Sequence, residues 1–531
     1  MGKGRKTITS TVESIQDMPI DRKVSLASLR DSDVRFHGTK LSLSWFPWPM
    51  VHSKCSDMFG YMSPPLTRLG SRLPINASVN NALDQLGGMM ADPNREPTVG
   101  PGQAPHSGIP SGYTYFGQFV DHDITFDISS RLDILQDANK INNMRTPALD
   151  LDSLYGRGPG LSPYLYQFPS GGAPSTAIKF QLGKNQNNGP GGSSSNTNSS
   201  GMSIRTDFDV PRVNASSNTA LIGDPRNDEN LIVSQFHHAM LRFHNKVVDK
   251  VVASGFTGDI FAEAKRIVTH HYQWAVVNDF LQRICGNTAV SNALTTVIAP
   301  IDSAFRMPVE FSVAAYRFGH SMIRQNYWLN FNFVNQGMVD VFSFIRNPNL
   351  PVRSNWVIDF NAFFPTGHPV PVNNMARKID SVLATEIANL PGMPPGIMRI
   401  LAARNLRRGQ ALGLPSGQAM AAAKGVTPLT SAQLLSGLPA NEVALLNSNP
   451  ILIQKTPLWY YILREAAVTQ GGNRLGALGA KIVAETFVRM LKRDANSYLN
   501  HPGGFSPSIP TAGVGTFTVA DLIKFSGVTQ P

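Results

Sequence analysis

Three observations predict a mainly α-helical protein. From Asn230 to Ile284 the apolar residues keep a helical spacing, with a charged opposite face. Shorter stretches with the same spacing cover Ile379 to Leu390, Pro395 to Arg407 and Gly476 to Leu491. Strand-like alternation is scarce, and no repeat of fixed period is present. With 531 residues, 42% of them hydrophobic, the chain can bury a large core, either as one oversized domain or as two or three ordinary ones.

Taken in order, residues 1–57 read as an irregular arm, whose Trp45-Phe-Pro-Trp48 run suggests a clamp laid on the main body. The basic start, Met1-Gly-Lys-Gly-Arg-Lys6, has no apolar core behind it, so no cleaved leader is expected, and Lys6 spoils a myristoylation pattern. No window is apolar for long enough to span a membrane, which predicts a soluble protein, cytoplasmic or exported by a leaderless route. Residues 58–110 are rich in Pro, Gly and Asn, with one short helix expected over Val79 to Met90. Met144 to Gly160 is turn-rich, and residues 186–201 form a polar low-complexity surface loop with no means of packing. The net charge of +11 attracts anions, but the basic residues are scattered, which argues against nucleic acid. Cys55 and Cys285 make neither a disulfide framework nor a metal motif.

The densest chemistry lies in Phe116-Gly-Gln118-Phe-Val-Asp121-His122-Asp123-Ile-Thr-Phe126. On a helix, Gln118 precedes Asp121 by three residues and His122 by four, so amide, carboxylate and imidazole approach one object from one side while Asp123 points elsewhere. Four further groups stand out. Thr146, Asp150 and Asp152 supply hard oxygen atoms at alternate positions, with the Ala148 carbonyl on the same side and Asp123 as a further carboxylate; this is a calcium pattern or simply an Asp-rich turn. Gly223-Asp-Pro-Arg226-Asn-Asp-Glu229-Asn230 puts Arg226 and Glu229 three apart, in a stretch that also reads as a helix cap. Arg317-Phe-Gly-His320 sets glycine beside histidine in an apolar segment, which permits close approach of something flat. Asn405 is a single amide on the apolar side of a basic helix end. His237, His238 and His244 read as helix histidines without a metal role.

In this order, Gln-x-x-Asp-His-Asp, Thr-x-x-x-Asp-x-Asp-x-x-Tyr-Gly, Arg-x-x-Glu and Arg-Phe-Gly-His resemble the animal-type haem peroxidases, the superfamily that includes myeloperoxidase, lactoperoxidase and the cyclooxygenases, and its bacterial and other non-vertebrate branches in particular. The resemblance runs from about Met58 to the C-terminus. It implies a single large helical domain with very little β-structure over residues 58–531, binding haem b between His122 and the axial ligand His320. Asn405 would hold the other ring nitrogen of His320, Arg317 would meet a haem propionate, and Gln118 would help to position water or a halide. Calcium would be held by Asp123, Thr146, Ala148, Asp150 and Asp152, the last at a place often filled by serine. Asp121 and Glu229 match the positions that form ester bonds to haem.

The implied function is reduction of hydrogen peroxide, with His122 as general base and then acid and Arg226 as fixed positive charge. The implied donors are phenols, iodide, thiocyanate and bromide. Chloride should be poor, because Asn230 stands where myeloperoxidase has a methionine. Two alternatives share the scaffold. A fatty-acid dioxygenase would need a tyrosine three residues before His320, where this chain has Arg317; Tyr316 is roughly 100° away on an α-helix and is expected to face elsewhere. A non-enzymatic adhesion or matrix protein on a decayed fold would be expected to have lost His122, Arg226 or His320, and all three are present.

Overall fold

The computed structural model describes residues 58–91, 106–172, 175–185, 207–213, 218–337, 351–369, 371–388, 390, 396, 399–509 and 516–529, together with the backbone of 35–36 and 39–40. The Trp45–Trp48 run and the 186–201 loop lie outside them. The principal helices are α1 (Ala77–Met90), α2 (Gly112–Ile124), α3 (Leu231–Ala253), α4 (Ile260–Ala275), α5 (Asn287–Thr296), α6 (Leu401–Ala411), α7 (Leu458–Gln470), α8 (Ala477–Arg493) and α9 (Val519–Ser526). Among the described residues the strands are two-residue pairs, such as Phe59–Gly60 running parallel to Met307–Pro308. No described helix is long and apolar enough to cross a membrane.

One apolar cluster joins these helices. Helix α3 is central: it packs on α2, α4 and α9, and most of its residues from Leu231 to Leu241 are fully buried. Its first turn is capped by Asn230, whose Oδ1 accepts from the Val233 amide at 3.0 Å. Beneath α2, Phe116 meets Phe236, Tyr272 and Phe280 edge-on at 5.4–6.1 Å. Each such ring removed from water contributes on the order of 1.5–3 kcal/mol, so this cluster fixes the rotation of α2.

Two expected helices come out differently. Ile379, Leu383, Ile387 and Leu390 are buried as their spacing suggests, but only Thr385–Ala388 is helical, as one 3-10 turn. The Ile379 and Leu383 amides donate instead to Gly472 and Met90, at 2.8 Å each, so tertiary contacts take the bonds a helix would need. Of the 395–407 pattern, the α-helix takes up Leu401 onward, after an extended Ile400, and Gly396 has a positive φ of 101°.

The segment before His320 is a wide π turn over Glu310–Ala314 followed at once by a 3-10 helix over Ala315–Met322. This 3-10 helix packs against α2 and α7, so the stretch carrying His320 and the stretch carrying His122 are neighbours.

Candidate active site

A cavity of about 720 Å³, open mouth included, lies between α2 and the 3-10 helix. Gly117, Gln118 and Asp121 line it from α2, and Tyr316, Arg317 and His320 from the opposite side. Gly117 lets the two walls approach closely: a Cβ there would stand 3.1 Å from the Phe280 ring, which would have to give by a few tenths of an ångström. A second cavity, of about 370 Å³, is lined by Phe126, Arg226, Arg317 and Arg408 among others. Arg317 belongs to both walls.

His122 is fully buried, and its Nε2 has no hydrogen-bond partner among the described residues. Its Nε2 lies 3.7 Å from Glu229 Oε1. Burial, and then the Arg226 charge, lower the imidazole to about 4, so it is neutral at ordinary pH and one ring nitrogen keeps its lone pair. His122 Nδ1 lies 2.9 Å from Asn227 Oδ1. Gln118 Nε2 donates to Glu229 Oε1, while its Oε1 accepts from Asn230 Nδ2 at 3.2 Å. Asp121 accepts from the Thr125 hydroxyl at 2.8 Å and lies 3.7 Å from Arg317 Nη1.

Arg226 is held by Asp224 through Nε and Nη2, and its Nη2 donates to the His122 carbonyl at 2.9 Å. Asp224 also pairs with Arg145 at 2.5 Å, so one buried carboxylate serves two guanidinium groups. On the far side, His320 Nδ1 faces the Asn405 amide nitrogen at 2.7 Å. A half-turn of that amide offers Nδ1–H an acceptor in the same place.

Asp123 points away from the cavity, as its spacing predicts. It joins Asp150 and Asp152, whose ligand oxygens and its own all lie within 4.8 Å of one another. The Thr146 hydroxyl donates to Asp150 at 2.9 Å, and Ala148 lies in the same loop. Burial and the neighbouring carboxylates push Asp123 well above the usual carboxyl range and Asp150 up to about 7. Such a set of hard oxygen atoms suits calcium, whose charge would remove that repulsion.

The site departs from expectation in two places. Tyr316 does line the cavity with His320, and its hydroxyl donates to the Gly117 carbonyl at 3.3 Å; every residue from Tyr316 to His320 lines this wall, so an angular offset from Arg317 does not exclude Tyr316 from it. His122 does not form part of the cavity wall itself: Gln118, Asp121 and Asn230 do, with Glu229 between Gln118 and His122. Asn227, Asp224, Arg145 and Arg408 escaped the sequence reading. The first two stand beside Arg226 in the same stretch, and Arg145 directly precedes Thr146, but neither position carries a spacing signal.

The sequence model described as "Animal haem peroxidase" matches residues 129–524. The chain belongs to the animal haem peroxidase family. Members of this family are haem-binding oxidoreductases. Peroxidase A from Dictyostelium discoideum shares the fold at 17% identity, with a TM-score of 0.58 over 89% of this chain and 94% of that one. A fatty acid alpha-dioxygenase from Oryza sativa does so at 12% identity, with a TM-score of 0.53 over 86% and 78%. A "Peroxidase-like protein" from Margaritifera margaritifera is 36% identical over 112 residues, 19% of this chain and 14% of its own length. A "Dual oxidase" from Drosophila melanogaster is 24% identical over 335 residues, 57% of this chain and 20% of its own. The chain thus spans a fifth or less of the curated relatives it matches. The family match begins after α2, so the reading of Gln118, Asp121 and His122 rests on their geometry.

The residues fit haem. The cavity is flanked by aromatic groups, His320 lines it, and Arg317 and Arg408 meet at one side, where a dianionic ring edge would be neutralised.

Proposed function

We propose that this protein reduces hydrogen peroxide and oxidises small donors, with haem b held by His320 from one side and His122 acting from the other. The observation that carries the reading is His122: a fully buried, neutral imidazole with no hydrogen bond at Nε2, beside the buried Arg226. Haem, when bound, supplies the redox chemistry, giving two electrons to peroxide and recovering them from donors. His122 Nε2 takes the proton of one peroxide oxygen and delivers it to the other, which departs as water. Arg226 stabilises the negative charge that grows as the O–O bond breaks, and Asp224 keeps its guanidinium in place. Asn405 orients His320, and Arg317 with Arg408 would meet the propionates.

Asp121 and Glu229 are the candidates for ester bonds to haem, and Asp121 is already on the cavity wall. Asp123, Thr146, Ala148, Asp150 and Asp152 would hold calcium, tying the C-terminal half of α2 to the 146–152 loop. Phenols, iodide, thiocyanate and bromide are the donors we assign, with chloride poor. Asn230 spends its amide on the α3 cap and on Gln118, so it offers no third bond to haem. We take residues 58–531 as one catalytic domain preceded by the 1–57 arm.

A fatty-acid dioxygenase is the second reading, and one observation favours it: the Tyr316 phenol lines the cavity beside His320. An absorption spectrum of haem-supplied protein, before and after a small excess of peroxide, tests the first reading. A Soret band that shifts with peroxide and returns with iodide or a phenol supports it. A folded, haem-supplied sample without a Soret band discards both readings and leaves the binding-protein alternative. Oxygen uptake with a fatty acid, and no peroxide response, would select the dioxygenase.

A further inference from the structure

Behind His122 lies a chain of three fully buried side chains from two separate parts of the sequence. His122 Nδ1 is 2.9 Å from Asn227 Oδ1, and Asn227 Nδ2 is 3.1 Å from His237 Nδ1. None of the three is more than 0% exposed. His237 lies on α3, and its ring sits 6.0 Å from that of Phe119 on α2, so both helices that build the site hold it in place.

A carboxamide is directional: its oxygen accepts and its nitrogen donates. Asn227 turns its nitrogen toward His237 Nδ1 and its oxygen toward His122 Nδ1; in this orientation both bonds are made when His237 Nδ1 is a lone pair and His122 carries its proton on Nδ1. A neutral imidazole carries one N–H, so Nε2 is left as a bare lone pair. The reverse amide orientation would place the proton on Nε2, where it could only donate. A half-turn of one amide therefore separates an Nε2 that can accept a proton from one that cannot, and His237, when its Nδ1 is a lone pair, holds the amide in the first sense.

We propose that Asn227 and His237 are positioning residues that fix His122 as its Nδ1–H tautomer. This rests on the reading of His122 as the group that takes the peroxide proton. The same arrangement suits the imidazolium formed in turnover, because Asn227 Oδ1 already accepts from Nδ1–H.

The test uses the full-length haem-loaded protein, reduced and bound to carbon monoxide so that it is diamagnetic, with 15N-labelled histidine. The His122 resonances, assigned by their loss in His122→Gln, are expected to report a proton on Nδ1. Asn227→Leu should mix the tautomers and slow the reaction with peroxide about 10- to 100-fold, the range for removing such outer hydrogen-bond partners. Asn227→Asp keeps an acceptor for Nδ1–H and should stay within roughly 3-fold of the wild-type rate, a rescue that a merely structural role would not give. His237→Phe should fall between these two at unchanged haem content, and it carries the test if Asn227→Leu fails to fold. A proton on Nε2 in the wild type, or wild-type peroxide rates in both Asn227→Leu and His237→Phe, overturns the proposal. A wild-type protein that binds haem but ignores peroxide overturns the peroxidase reading instead and leaves the tautomer result standing.

Discussion

Acidification should unfold this protein well above the pH at which its carboxylates protonate. Four buried histidines besides His122 are held far below their ordinary value of 6.5, mainly by burial: His237 and His238 to about 3, His244 and His271 to about 4. Each stays neutral when folded and takes a proton when unfolded. The unfolded state therefore binds more protons below pH 6.5, and stability falls as pH falls from there toward 4. At pH 5, about 1.5 units below the ordinary value, each histidine costs roughly 2 kcal/mol, and the four together roughly 8 kcal/mol. That is comparable to the whole stability of a typical domain, about 5–15 kcal/mol. The assay is near-ultraviolet circular dichroism of haem- and calcium-saturated protein from pH 8 to 3, at fixed ionic strength, with a transition expected near pH 5. Carboxyls shifted upward by burial, such as Glu465, act in the opposite sense. His238→Leu isolates the histidine part and should shift the transition to lower pH. A wild-type protein that keeps its signal to pH 4, or a His238→Leu transition at the wild-type pH, would refute the reasoning.

His122→Gln should lower the rate of reaction with peroxide by about 10²–10⁴-fold while haem content holds, measured by stopped-flow absorbance. Chelation should lower the thermal midpoint, and Asp123→Ala should abolish that response; at a calcium concentration a thousand times Kd the effect is about 4 kcal/mol. The gap between calcium-loaded and calcium-free protein should widen as pH rises from 4 through about 7. Without the ion, folded Asp150 keeps its proton while the unfolded carboxyl has lost it, which costs stability with increasing pH. After peroxide treatment, acid–acetone should leave pigment in the wild-type pellet and extract it from the Asp121→Ala, Glu229→Ala double variant; equal retention in both would sink the ester assignment. Tyr316→Phe should leave peroxide turnover within about 3-fold, since the phenol plays no part in moving the peroxide proton. Loss of a fatty-acid oxygenation activity in the same variant would mark the second reading as correct.

The parts of this molecule that were legible from sequence are those whose chemistry lies within one turn of chain. Spacing alone sorts Gln118, Asp121 and His122 onto one side of α2 and Asp123 onto another; Gln118 and Asp121 do face the cavity and Asp123 the carboxylate cluster, while His122 lies behind the wall. The sustained pattern from Asn230 to Ile284 became α3 and α4 because a long periodic apolar face has few other ways to be buried. Asn227 was not legible, since its meaning depends on a histidine 105 residues away. Tyr316 was misplaced because an angle about the helix axis takes no account of how broad the wall is: every residue from Tyr316 to His320 lines it. Ile379 to Leu390 shows the complementary limit: a burial pattern with period near four also fits an irregular segment in which the Ile379 and Leu383 amides are claimed by Gly472 and Met90.

The wide turn at Glu310–Ala314 and the tight helix after it make this chain unequally tolerant of length changes. A residue removed from the wide turn converts it to an ordinary α turn and leaves the 3-10 helix nearly in phase. A residue added or removed between Ala315 and His320 has no such outlet. At three residues per turn it swings the imidazole by about 120°, off the cavity and away from Asn405. The few residues before His320 therefore act as a fixed ruler, and the wide turn upstream of them as its slack.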